Sequence, residues 1–181
     1  MSFPAFLYQL GLSALLVIFS AVFALAQTEK PQQPAERRAV PNLVLTTLEG
    51  DEWSLEKHRG SIVLLNFWAT WCQPCRVEKP MLVKLSDEYE RSGLKVAGVA
   101  LNEDGPELIK KFVAEYKIDY PTLIPPADSP LRSIENLPNT LLIDREGRLV
   151  KKYVGAVPES VLRDDIEKLV REPAKSSAPA R

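Results

Sequence analysis

The chain holds two cysteines, Cys72 and Cys75, with Gln73 and Pro74 between them. A structural disulfide gains from closing a long loop of the unfolded chain, and this pair would close almost none. A structural zinc site needs about four ligands, and the pair has only one histidine, His58, to draw on. Attachment of a c-type haem needs a histidine after the second cysteine, where Arg76 stands. What remains is a dithiol that exchanges with disulfides.

That chemistry depends on where the cysteines sit. Residues 61–69 (SIVLLNFWA) form an apolar run without Gly or Pro, the pattern of a strand covered on both faces. A helix is expected from Cys72 to about Glu90, with Val77, Met81, Leu82, Leu85 and Tyr89 recurring at helical spacing and Gly93 beyond its end. Cys72 would then face backbone N–H groups without intrahelical partners, at the positive end of the helix dipole. Both effects favour the thiolate, the attacking species, so Cys72 is the expected nucleophile. Cys75 lies nearly one turn on, on the same face, where it can attack the mixed disulfide and release the partner. Pro74 suits a first turn, and Gln73 adds no charge beside the thiols.

The surrounding elements alternate. Residues 42–47 and 52–55 flank Leu48-Glu49-Gly50-Asp51, a turn signal that predicts a small hairpin. Residues 94–101 read as a second buried strand. Residues 106–116 read as a helix with Leu108, Ile109, Phe112 and Val113 inward and Lys110 and Lys111 outward. A short strand at 120–124 and a loop at 125–136 precede a hairpin of 140–144 and 149–154 about Arg145-Glu146-Gly147. A last helix spans 159–170, with Val161, Leu162, Ile166 and Leu169 on one face. Alternating strands and helices, then a hairpin and a helix, predict an α/β fold, a mixed central sheet with helices on both faces. The dithiol falls at the carboxyl end of a strand, where sites of such sheets lie.

Composition bounds the partners. With 23 basic and 24 acidic side chains the charges nearly cancel, which leaves no basic stripe for nucleic acid. The lysine pairs Lys110-Lys111 and Lys151-Lys152 read as solvated faces, and His58 as a surface residue. Residues 3–26 carry no charge and end Ala24-Leu25-Ala26, a small-x-small pattern expected of an export signal cleaved before Gln27. An uncleaved membrane anchor competes, since the first basic residue is Lys30 and a spanning helix needs about 20 apolar residues. Either way the folded part is expected outside the cytoplasm, with membrane contact only through residues 1–26. Residues 27–39 read as a disordered linker, 40–171 as the folded domain and 172–181 as a flexible tail.

The segment Asn66-Phe67-Trp68-Ala69-Thr70-Trp71-Cys72-Gln73-Pro74-Cys75-Arg76 resembles the active-site segment of the TlpA/ResA-type thioredoxin-like proteins. Leu48-Glu49-Gly50 through Gly60 resembles that family's N-terminal hairpin, and Leu137-Pro138-Asn139-Thr140 through Gly147 its cis-proline segment. The resemblance implies a thioredoxin fold with an N-terminal β-hairpin extension. It also implies exchange of disulfides with exported proteins, one such task being apocytochrome c maturation fed by a membrane electron donor. No cofactor and no metal are called for. Pro138 would be the cis-proline beside the dithiol, leaving the Leu137 backbone free to pair with an extended substrate. Asn139 departs from the threonine common after that proline. Glu78 stands where the family often has an acidic residue near the buried cysteine. Asn66 replaces the strand aspartate of thioredoxins, so Glu78 is the candidate to exchange a proton with Cys75; a helix-dipole role is the competing reading. Trp71 would contact partners, Trp68 would be core, and Pro80 would kink the helix.

Three other functions fit the same cysteines less well or equally. A disulfide-donating oxidase differs only in reduction potential. A peroxidase wants a proline and threonine before a single reactive cysteine, which Trp71-Cys72-Gln73-Pro74-Cys75 does not offer. A Cu(I)-binding protein could use the two thiolates, though neither Met1, Met81 nor His58 is well placed as a third ligand.

Overall fold

The run read as a buried strand forms one: β3 (Ile62–Trp68) is buried at every position. In this computed structural model, which describes residues 37–102 and 105–173, β3 is flanked by two long neighbours. β4 (Leu94–Ala100) pairs with it in parallel from Ile62↔Leu94 to Trp68↔Ala100. β6 (Asn139–Ile143) pairs antiparallel on the other side, Phe67 opposite Asn139. β5 (Thr122–Ile124) adds in parallel beyond β4, and β7 (Leu149–Val154) antiparallel beyond β6. The N-terminal hairpin, β1 (Val44–Thr47) with β2 (Glu52–Ser54), joins the same sheet, because β1 pairs antiparallel with β5. The seven strands run β2-β1-β5-β4-β3-β6-β7.

Among the described residues three α-helices connect or close them: α1 (Gln73–Tyr89), α2 (Pro106–Glu115) and α3 (Glu159–Arg171). The steps β3–α1–β4 and β4–α2–β5 move across the sheet in the same direction, so right-handed crossovers put both helices on one face. Leu82 and Leu85 of α1, Ile109 and Phe112 of α2, and Leu162, Ile166 and Leu169 of α3 share one core with Ile62, Leu64 and Trp68. The opposite face was expected to carry helices too. There Val63, Leu65 and Phe67 pack instead against Leu45, Trp53 and Leu55, with Leu131 and Ile134 from a single 3-10 turn (Pro130–Ser133) and its flank.

The folded part begins earlier than expected. Arg37, Arg38 and Ala39 belong to the domain rather than to the linker: Ala39 bridges to Arg148, Leu149 N–H donates to the Arg38 carbonyl, and Arg37 pairs with Asp144 and Glu172. The physical reason is Asp144, a buried carboxylate at the end of β6 that needs the Arg37 and Arg148 guanidinium groups. Glu172, placed in the tail, is drawn in by the same arginine. The expected signal or anchor, the linker up to residue 36 and the tail from 174 on lie outside the described residues. No helix among the described residues is long and apolar enough to cross a membrane.

Helix phase also differs. Val77, expected inward, is 72% exposed, whereas Glu78 and Lys79 are buried. The inward stripe of α1 runs Cys75, Glu78, Lys79, Leu82, Leu85, Tyr89, a 3.6-residue period that leaves Val77 on the outside. Leu108 and Val161 are likewise exposed. Pro80 lies within α1, which continues through it to Tyr89. His58 is half-buried, its ring stacked on Trp53 at 4.9 Å.

Truncating Leu82 to Ala is expected to destabilise the oxidised protein by ~2–5 kcal/mol, as for a fully buried leucine. Val77→Ala should stay within about 0.5 kcal/mol. Urea unfolding of both variants with the disulfide intact measures the difference, and equal losses would contradict the helix phase described here.

Candidate active site

β3 ends at Trp68, and three residues later the chain turns into α1. That turn is braced from several sides. Leu101 N–H donates to the Trp68 carbonyl at 2.8 Å. Asn102, at the end of β4, accepts from Thr70 N–H at 3.0 Å and donates to the Thr70 hydroxyl. Arg76 donates to the Thr70 carbonyl at 2.9 Å, and its guanidinium lies over the rings of Phe112 and Tyr116 on α2. So fixed, the turn delivers Cys72 as the N-cap of α1 in an extended conformation, with Pro74 in the first turn.

Cys72 and Cys75 are joined as a disulfide. The Cys75 N–H points at Cys72 Sγ from 3.2 Å. An N–H so placed at a helix start is the kind of donor that favours a thiolate over a thiol. Both cysteines are buried, and Trp71 beside them is 66% exposed. Trp71, Arg76, Leu108 and Lys111 line a shallow hollow next to the disulfide.

Pro138 comes from the other side. Asn139 pairs with Phe67, so in register Pro138 falls beside Trp68, at the end of the sheet from which the cysteines spring. The Leu137–Pro138 peptide bond is cis. The Pro138 carbonyl accepts from Gly155 N–H, while Leu137 N–H donates to the Glu135 carbonyl at 3.1 Å. The Leu137 amide hydrogen is thus already engaged locally.

Behind the disulfide lies a polar knot. Glu78 follows Cys75 by three residues and Lys79 by four, so both sit one turn beneath it. Asn66 of β3 ties them together: its Nδ2 donates to Glu78 Oε1 at 3.3 Å and to Thr140 Oγ1 at 2.9 Å, and its Oδ1 accepts from Lys79 Nζ at 2.7 Å. The second Glu78 oxygen has no partner among the described residues. Burial pushes the Glu78 carboxyl up to about 7, opposed by the Lys79 charge and the Thr140 hydroxyl. Burial drives the Lys79 ammonium well below its ordinary value, opposed by Glu78. A carboxyl poised near neutrality can take a proton from a thiol and return it.

The structure therefore brings Cys72, Cys75, Glu78, Trp71 and Pro138 to one end of the sheet, with Leu137 beside the proline. Sequence reasoning missed Lys79, Asn102 and Arg76. Lys79 was readable by starting the helical period at Cys75 rather than Val77. Asn102 and Arg76 act through contacts with the turn and α2 that no local pattern announces.

A family model described as the AhpC/TSA family matches residues 37–166. A thiol-disulfide oxidoreductase ResA of Bacillus cereus is 34% identical over 162 residues, 86% of this chain and 92% of that protein. The thioredoxin domain of a thiol-disulfide oxidoreductase from Bacteroides vulgatus superposes with a TM-score of 0.66 at 27% identity, over 77% of this chain and 100% of that one. A secreted thiol-disulfide isomerase from Corynebacterium glutamicum shares the fold, with a TM-score of 0.71 at 24% identity over 81% and 98% of the two chains. The mixed sheet with its cysteine pair at the strand-to-helix turn is the thioredoxin-like fold of these proteins, and the chain belongs to the AhpC/TSA family and to the ResA thiol-disulfide oxidoreductases.

Proposed function

We propose that this oxidoreductase acts outside the cytoplasm as a reductant of disulfides in exported proteins. Cys72 attacks the substrate disulfide, one substrate sulfur leaves as a thiol, and a mixed disulfide forms. Cys75 then attacks Cys72 Sγ, freeing the second substrate thiol and leaving the Cys72–Cys75 disulfide. The substrate gains two electrons and two protons, and a membrane electron donor restores the dithiol. Apocytochrome c is one substrate class that fits, by resemblance. Trp71 and the cis-Pro138 segment would contact the substrate chain, without the Leu137 N–H, which is held by the Glu135 carbonyl.

The observation that supports this reading best is Cys72 at the α1 N-cap with Cys75 N–H on its sulfur, backed by a carboxyl whose burial raises it to about 7. Between the cysteines, Gln73 and Pro74 add no positive charge. No charge between the cysteines adds to the pull of the helix start on the thiolate, and a less stabilised dithiol is the stronger reductant. Export is supported by the uncharged stretch at residues 3–26 ending Ala24-Leu25-Ala26 and by the name of the Corynebacterium relative as secreted.

The full chain, equilibrated in thiol buffers, is expected to show a reduction potential near that of thioredoxin, about −270 mV; a value near about −120 mV would make it an oxidant. Glu78→Gln tests the proton acceptor. In the wild type, the second nitrothiolate released from dithiobis-nitrobenzoate reports attack by Cys75, and its rate should rise as pH passes about 7, where Glu78 ionises. The variant should lose that rise and react about tenfold or more slowly at neutral pH, following only the ordinary thiol ionisation. An unchanged profile removes Glu78 from the mechanism.

A further inference from the structure

Exchange as described uses Glu78 and leaves its neighbour Lys79 without a task. Lys79 is 0% exposed, among the largest fully buried side chains in the protein. Taking an ammonium out of water costs several kcal/mol unless its surroundings compensate. Two groups do. Asn66 Oδ1 accepts from Nζ at 2.7 Å, and the Trp68 ring lies 4.3 Å away at its centroid. The arrangement is directional, because an ammonium only donates. The Asn66 oxygen must face Lys79, so the Asn66 nitrogen must face Glu78 Oε1 and Thr140 Oγ1.

We propose that Lys79 is a positioning residue for thiol–disulfide exchange: through its charge and through Asn66, it keeps the buried Glu78 carboxylate ionised and held in place beneath Cys75. The inference rests on the reading of Glu78 as proton acceptor for Cys75.

The surroundings of Glu78 leave Lys79 as its source of positive charge. On α1 its neighbours are Cys75 and Lys79. The sheet presents Asn66 from β3 and Thr140 from β6, both uncharged. From the segment entering β5 comes the Tyr120 phenol, pushed above its ordinary value by burial and by the negative charges of Glu78 and Asp119; it offers no cation. Withdraw the Lys79 charge and, among the described residues, the carboxylate stands buried opposite neutral groups, so it takes up a proton. The exchange step then lacks its acceptor until higher pH.

Two variants separate charge from hydrogen bonding. Lys79→Met removes both, and Lys79→Gln keeps a donor for Asn66 without charge; should the methionine variant fail to fold, the glutamine variant carries the test. NMR titration of the Glu78 side-chain carboxyl reads its ionisation directly. In both variants the midpoint is expected to move up by about one pH unit or more, as for removal of a nearby opposite charge, and the pH profile of the Cys75-dependent second nitrothiolate release should follow it. A midpoint that stays put or falls overturns the proposal. A midpoint that rises while the release profile stays unchanged overturns the role of the pair in exchange, and with it the reading of Glu78 as acceptor. In a Glu78→Gln background Lys79→Met should leave the release profile where it is; a further shift would mean that Lys79 acts on the thiols directly and would also overturn the proposal.

Discussion

The Asn66 amide is the point on which the site and the core both depend. It lies in the most buried strand, on the face that meets α1, and its three hydrogen bonds reach β6, Glu78 and Lys79. The register across the sheet sets Thr140, Asn66, Gly98 and Thr122 in one row. That row crosses an otherwise apolar face, between Leu64 on one side and Trp68 on the other. A helix that brought only apolar residues to this row would leave the Asn66 amide unsatisfied, at about 1–3 kcal/mol per lost partner. Polar residues at 78 and 79 therefore lock α1 in register on the sheet. The same register places Cys72 at the helix start and Cys75 one turn above the knot.

Stability alone does not account for the Glu78–Lys79 pair. Even a direct buried ion pair is often replaceable by apolar side chains of similar volume with a neutral or stabilising effect, by about 1–4 kcal/mol, and Glu78 and Lys79 are joined through Asn66 instead. The neighbouring inward positions Leu82 and Leu85 show that α1 packs apolar side chains in the same groove with full burial. The polar residues occur only in the turn beneath the disulfide. Their placement beneath two buried cysteines agrees with the proposed exchange, in which protons leave and return as the dithiol cycles.

Much of this was legible in the sequence. The apolar run ending in Trp68-Ala69-Thr70-Trp71-Cys72 marks the strand, the turn and the helix start, because β-sheet burial and helix capping are local in sequence. The β6–β7 hairpin and α3 were legible for the same reason. The phase of α1 was not, because Val77 is apolar and a hydrophobic count takes it as core, whereas the core here accepts a glutamate and a lysine at that level. The domain start was hidden for a related reason. Residues 37–39 look like linker, and only the buried Asp144 far along the chain explains why Arg37 is held.

The α2–β5 excursion shows how distant sequence shapes this local chemistry. Gly98 leaves room for the Trp68 indole, since a β-carbon there would lie 2.8 Å from Nε1. Trp68 then stacks on Phe112 at 4.6 Å, and Phe112 on Tyr116 at 4.4 Å. One ring of this stack faces Lys79 inside, and the other end supports Arg76, which braces the Thr70 carbonyl at the surface. Helix α2 therefore serves both cysteines at once, as the wall that holds the aromatic ring over the buried cation and as the shelf on which the Cys72 turn rests. A displacement of α2 would be felt at the knot and at the nucleophile together, since both lean on Phe112.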